Sequence, residues 1–268
     1  MSSFEFKLTN VLMILLLSPA KIQNFLSQQY IRDYTIPEFL DYAETLVHKI
    51  NQLSRTELAD LLAINSNLAQ LNADRHFNWQ VPFTTKNAKQ TVFVFNGEVF
   101  HGLDAKTFSP DEFNYMQSHL RILSGLYGVL RPLDLIQPYR LDVSTRLKTE
   151  EGNNLYAFWK NHITPALNKA ILDSKGPKVL LNLASGEYFK SINLKQLQAE
   201  VINFEFLENK NDKYVPIVIY IKKARGMMAR YVIEHRIESV EDLKGFNADG
   251  YWYNSRLSSE KKLVFTRG

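Results

Sequence analysis

Two short segments carry polar residues directly after apolar runs, which puts reactive groups at the ends of buried strands. In "LLLSPAK", Ser18 and Lys21 follow one such run. In "LLNLASGEYFKSI", Asn182, Ser185, Glu187, Tyr188 and Lys190 lie on or beyond another. Ligands collect at strand ends in α/β-type sheets because loops and helix N-termini meet there. In a shared cleft Lys21 would serve as nucleophile or phosphate clamp, and Glu187 or Tyr188 as general acid–base. Read locally, Ser185 is only an N-cap and Lys21 a solvated lysine. The spacing leaves both readings open.

A third stretch is basic. "IKKARGMMARYVIEHR" sets Lys222, Lys223, Arg225, Arg230 and Arg236 against a single acid, Glu234. Lys222 and Lys223 are expected to leave a strand and Arg225 to enter a helix, with Met227, Met228, Tyr231, Val232 and Ile233 on its buried side. Such a cluster suits phosphate oxygens, and it equally suits a solvated helix face. A fourth, "HLRILSGLYGVLRPLDLIQ", follows a helix start at Ser109. Phe113, Met116, Leu120 and Leu123 form its apolar stripe. Ser124, Gly125, Tyr127 and Gly128 then have the character of a helix-hairpin-helix turn, whose glycines let backbone N–H groups approach phosphate. Pro132 and Pro138 restrict the second helix. Gly125 as a left-handed helix cap and Gly128 as a turn residue explain the same glycines without a ligand.

Other chemistries lack a signature. The six histidines (48, 76, 101, 119, 162 and 235) stand apart with no metal-ligand spacing, and cysteine is absent, so no metal site is expected. Neither G-x-x-x-x-G-K-[ST], G-x-G-x-x-G nor G-x-S-x-G occurs. No cofactor is expected. A net charge of +4 with a pI near 9.0 permits a phosphate-bearing partner without requiring one.

The elements that must position these residues come next. A hydrophobic content of 45% over 268 residues supports a substantial core. The apolar run at residues 11–17 is too short to span a bilayer, and "SPAK" is a poor cleavage site. It reads as a buried strand of a cytoplasmic protein with no membrane partner. Thr35 with Glu38, Ser54 with Glu57, and the run Ser109-Pro110-Asp111-Glu112 signal helix starts, and "NLAQLNADRHF" a further helix. "TVFVFNGEVFHGL" predicts a hairpin about Asn96-Gly97. Helices are predicted on both sides of Pro165, and a strand at "KVLLNLAS". Two strands joined by a polar turn are predicted over "EVINFEFLENKNDKYVPIVIYIKK". A helix, a short helix and two closing strands follow. The order lacks a regular βαβ period, and no linker divides it. An α+β single domain is expected, a mixed β-sheet surrounded by helices with the helix-hairpin-helix-like element. Residues 1–10 are expected as an N-terminal extension to a domain over 11–268.

"SPAK", "HLRILSGLYGVLRPLDLIQPYRL", "NLASGEYFKSI", "KKARGMMARYVIE" and "LKGFNADGYWY" occur in an order that resembles the YaaA family, bacterial proteins connected with peroxide resistance. The resemblance covers essentially the whole chain. It implies one α+β domain with a positively charged cleft and binding to duplex or branched DNA, without sequence readout. It further implies links to DNA-repair proteins and to lower free iron, which limits hydroxyl-radical damage. Carried onto this chain, it assigns the 125–128 hairpin with Arg121 and Arg131. Lys21, Lys190, Lys222, Lys223, Arg225 and Arg230 become candidate cleft cations. It implies no reaction.

Overall fold

A computed structural model describes residues 13–26, 31–172 and 178–268; the expected extension at 1–10 lies outside them. The expected N-terminal strand is β1 (Met13–Leu17), with all five residues buried. Residues 11 and 12 of that expectation also lie outside the described part. Helix α1 (Leu40–Ile50) begins later than Thr35 with Glu38 suggested, at Phe39 and without a side-chain cap. Thr35 is drawn elsewhere: its hydroxyl donates to the buried carboxylate of Asp134 at 2.5 Å. The second expected capping box holds, with Ser54 and Glu57 opening α2 (Arg55–Leu62). Asn65 then caps α3 (Ser66–Phe77).

The hairpin expected about Asn96-Gly97 is not formed. After β2 (Lys89–Gln90) come two short helices, α4 (Thr91–Val94) and α5 (Glu98–Leu103), with Gly97 as the N-cap of the second. Residues 91–95 are all buried. A short run buried on every side carries no period that separates strand from helix. Ser109 and Glu112 form the expected capping box of α6 (Pro110–His119).

That helix stops five residues short of the expected Ser124. Residues Leu120–Ser124 form β3, paired in parallel with β1 (Leu15↔Leu120, Leu17↔Ile122). β4 (Gly128–Leu130) returns antiparallel beside it, with Ser124 opposite Gly128. The glycines therefore turn a β-hairpin, and the helix-hairpin-helix reading of this stretch is corrected. The physical reason is burial: Leu120, Ile122 and Leu123 are fully enclosed and complete the flank of β1. The turn itself is core. Leu126 and Tyr127 have no exposed surface, and their N–H groups donate inward to Ser124 Oγ at 3.2 and 3.0 Å. Gly128 has φ +68°, and Trp159 packs where a Cβ would stand.

The chain continues through β5 (Leu135–Ile136), α7 (Leu155–Trp159) and α8 (Ile163–Leu172). The break between these two helices falls before Pro165, which sits in the first turn of α8. β6 (Val179–Asn182) is the expected buried strand and leads into α9 (Gly186–Phe189). β7 (Glu200–Lys210) and β8 (Lys213–Val215) turn through Asn211 and Asp212, both at positive φ. The remainder of the expected second strand is helical. Pro216 ends β8, and α10 (Val218–His235) takes in the basic stretch up to Arg236, its left-handed C-cap. Its β-branched start is left exposed at Val218 and Ile219. Burial of Ala224, Met228, Val232 and Ile233 at helical spacing sets its conformation. β9 (Trp252–Tyr253) and β10 (Lys262–Arg267) close the chain as expected.

The main sheet runs β4-β3-β1-β6-β7-β10-β9, with β8 beside β7. Its five middle strands are parallel, with antiparallel strands outside them. Helices α6, α8 and α10 contact β1. The protein is thus a single α+β domain on a mixed sheet, as expected. No helix among the described residues is long and apolar enough to cross a membrane.

Two buried histidines give the fold a pH dependence. His76 has neither ring nitrogen hydrogen-bonded among the described residues, and His119 lacks a partner at Nε2. Burial pushes both down to about 4, with Arg75 adding to the effect at His76. The unfolded imidazole protonates near its ordinary value, so between that value and 4 the unfolded chain binds more protons. Stability is fully present above the ordinary value and is lost as pH falls through the window. We expect a loss of about 2 kcal/mol per histidine between pH 7 and pH 5. Urea unfolding should show it, with a smaller loss for His119→Gln. An equal loss in the variant would contradict this.

Candidate functional site

Strand order singles out one place for a ligand. From β1 the chain departs to β3 on one side, whereas from β6, its other neighbour, it departs to β7 on the opposite side. Connections that diverge in this way leave a crevice beyond the carboxyl ends of the two strands. A cleft of about 430 Å³ opens there, lined by residues just after β1 and β6. The remainder of its wall comes from the start of α5, from residues 139–142 and from α10.

Ser18 and Ser185 join the two strand ends. The Ser185 N–H donates to Ser18 Oγ at 2.8 Å, and the Ser18 hydroxyl donates to Ser185 Oγ at 3.2 Å. Ser185 Oγ also caps α9, so the local and the site readings of this serine are both realised. Asp142 ties the segment between β5 and α7 to both strand ends. Its carboxylate pairs with Lys21 Nζ at 3.1 Å and accepts from the Tyr188 hydroxyl at 3.2 Å. Burial, and then the nearby Asp142 charge, raises Tyr188 well above the ordinary phenol range. Tyr188 therefore keeps its proton and serves Asp142 as a hydrogen-bond donor. Glu187 is exposed and accepts from Ser144 Oγ at 2.5 Å.

The opposite wall depends on a backbone contact between α5 and α10. A Cβ on Gly102 would collide with the Lys223 carbonyl, and one on Gly226 with the Val99 carbonyl. The close approach brings Lys222 and Arg225, three residues apart on one helix face, to the cleft. Arg225 is largely enclosed, and its Nε has no hydrogen-bond partner among the described residues. Burial lowers its pKa, and no carboxylate offsets the effect. Arg140 supplies another cation to the lining. His101 is held between Glu98 (3.2 Å at Nδ1) and Asn96 (2.9 Å at Nε2).

The structure thus brings Ser18, Lys21, Ser185, Glu187, Tyr188, Lys222 and Arg225 together. Asn182 stands behind them, donating to Asn203 at 2.8 Å and accepting from the Ala184 N–H at 3.2 Å. The other candidates lie elsewhere. Lys190 is an exposed C-cap of α9 outside the cleft. Lys223 pairs with Asp249, and Arg230 with Glu234 and the carbonyls of Leu103 and Asp104; both line a neighbouring cavity. Arg121 folds back onto the carbonyls of Gln117, Ser118 and Leu120. Arg131 pairs with the buried Asp134 at 3.0 Å. Ser124, Gly125, Tyr127 and Gly128 belong to the core hairpin. Gly125 packs against the Leu141 carbonyl, where no Cβ fits, and its own carbonyl accepts from Trp159 Nε1 at 2.9 Å.

Arg140 and Asp142 were missed because no local spacing marks them; only the topology carries them to the strand ends. The two consecutive helices expected after Ser54, α2 and α3, are present and joined by a three-residue turn. Ala63 there adopts φ +50° and Asn65 caps the second helix. Two capping signals within twelve residues were the legible sign. Arg75 on α3 lies near enough to Arg140 for the like charge to lower its pKa, after burial.

The fold and site define a mixed-sheet α+β protein with a polar cleft at a topological switch point, lined by four cations and three carboxylates. A family model described as peroxide stress protein YaaA matches residues 13–257. The chain belongs to that family, and its membership is consistent with a role in oxidative stress.

The α5–α10 contact generates a test. Gly226→Ala should cost about 1–3 kcal/mol or more in urea unfolding, because backbone cannot yield as a flexible side chain would. Ala at Gly186, where a Cβ meets nothing within 4 Å, should change stability far less. Equal effects would contradict the packing account.

Proposed function

We propose that the protein is a cytoplasmic DNA-binding protein of the peroxide response. It holds the phosphates of duplex or branched DNA at the mouth of the cleft, without reading sequence. One observation carries this reading: Lys21, Arg140, Lys222 and Arg225, from three separate segments, converge on one cleft. Lys21 alone has a carboxylate partner among the described residues. Three of these cations have no ion-pair partner among the described residues, although Glu98, Asp142 and Glu187 share the lining. Such cations favour a polyanion, whose backbone supplies the partner charge and releases counterions on binding.

The α2–α3 pair supports a second grip beside the first. Residues 63 and 65–67 are exposed, and the free amides that open a helix favour phosphate oxygens. The backbone would thus run from the cleft past Arg140 and Arg75 to this turn. DNA covered in this way is shielded from radicals formed by iron and peroxide. Partners among DNA-repair proteins fit the same role.

Gel-shift titrations across ionic strength test the proposal. Lys21→Ala/Lys222→Ala should weaken binding about tenfold or more and reduce the slope of log affinity against log salt by about 2. Lys190→Ala should change neither, because Lys190 stands outside the cleft. An unchanged slope in the double variant, or an equal loss with Lys190→Ala, would overturn the proposal.

A further inference from the structure

The geometry points to a more specific occupant of the cleft, resting on the phosphate-binding reading: a single nucleotide, unstacked from its neighbours. Its phosphate would lie on Arg225 and Lys222. Its sugar and base would lie on the apolar wall of Ala20, Val99, Leu141 and Leu183.

Three observations carry this inference. The first is size. At about 430 Å³ the cleft falls in the range that encloses a small organic ligand. A duplex cannot enter such a space, but one nucleotide extruded from the stack can. The second is the wall. A protein that only grips backbone needs an open row of cations, whereas this cleft is lined by apolar side chains as well as cations. A flat base above a charged phosphate has that distribution of polarity. The third is Arg225. A largely enclosed guanidinium whose Nε has no partner, and whose burial no acid offsets among the described residues, is costly to bury and suits an anion brought from outside. Asn96 and Asp142 present polar atoms within the same space for the edge of a base.

The nucleotide could come from a strand end or an unpaired position in DNA, or it could be free. Fluorescence anisotropy with three probes separates these sources. One is a dumbbell duplex closed by loops linked to the duplex through non-nucleotide spacers, so that no base is unpaired. Another is a duplex of equal length with one central unpaired nucleotide. The last is a fluorescent deoxynucleoside monophosphate. We expect the unpaired-nucleotide duplex to bind at least tenfold more tightly than the dumbbell. Ala20→Phe, which fills the cleft while sparing its cations, should remove that preference and leave dumbbell binding in place. Binding of the monophosphate that is lost in Ala20→Phe also supports the single-nucleotide site, in its free form. If both duplexes bind equally and the monophosphate does not bind, the inference is overturned while the DNA reading stands. If no probe binds, both fall.

Discussion

The site depends on two helices that touch through their backbones. Gly102 on α5 and Gly226 on α10 each lie against a carbonyl of the other helix, where no methyl group fits. This contact fixes how far α10 sits from the loop after β1. It decides whether Lys222 and Arg225 face Ser18 and Lys21 across a cleft or stand apart from them. Val99 and His101 on α5 line the same cleft, so one crossing sets both a wall and its charge. Rigid elements joined without intervening side chains hold charged groups more firmly than loops do.

The cations around the cleft are treated unequally. Lys21 is matched by Asp142, which Tyr188 also anchors, and its side chain stays largely open to solvent. Arg225 is not: burial works against its charge, and no acid among the described residues offsets it. Elsewhere the fold pairs its charges carefully. Arg131 meets Asp134, Arg230 meets Glu234, and Arg267 meets both Glu208 and Asp249. Against that pattern an enclosed arginine without an acid is the group most suited to an outside anion.

Much of this was legible in sequence where the signal was local. The capped starts at Ser54 and Ser109, the buried runs of β1 and β6, and the polar groups just beyond them all stand where residue type and spacing placed them. The failures share one cause. Leu120, Ile122 and Leu123 fit a helical stripe, but the flank of β1 claimed them as a strand. Residues 91–94 and 218–221 are rich in β-formers, yet each is helical: the first is buried on every side, and the second is carried by the buried face of α10. Thr35 had the right residue three places on and was taken by Asp134 instead. Long-range pairing overrode local preference in every case. Arg140 and Asp142 were invisible for the same reason, since only strand order brings them to the cleft.

The central claim is that DNA phosphates meet the cleft cations and not the other basic residues of the surface. Lysine footprinting by acetylation and mass spectrometry, with and without bound DNA, tests it most directly. The account predicts that Lys21 and Lys222 become protected while Lys190, and Lys169 exposed on α8, react as before. Protection centred on Lys190, or spread evenly over all four, would contradict it.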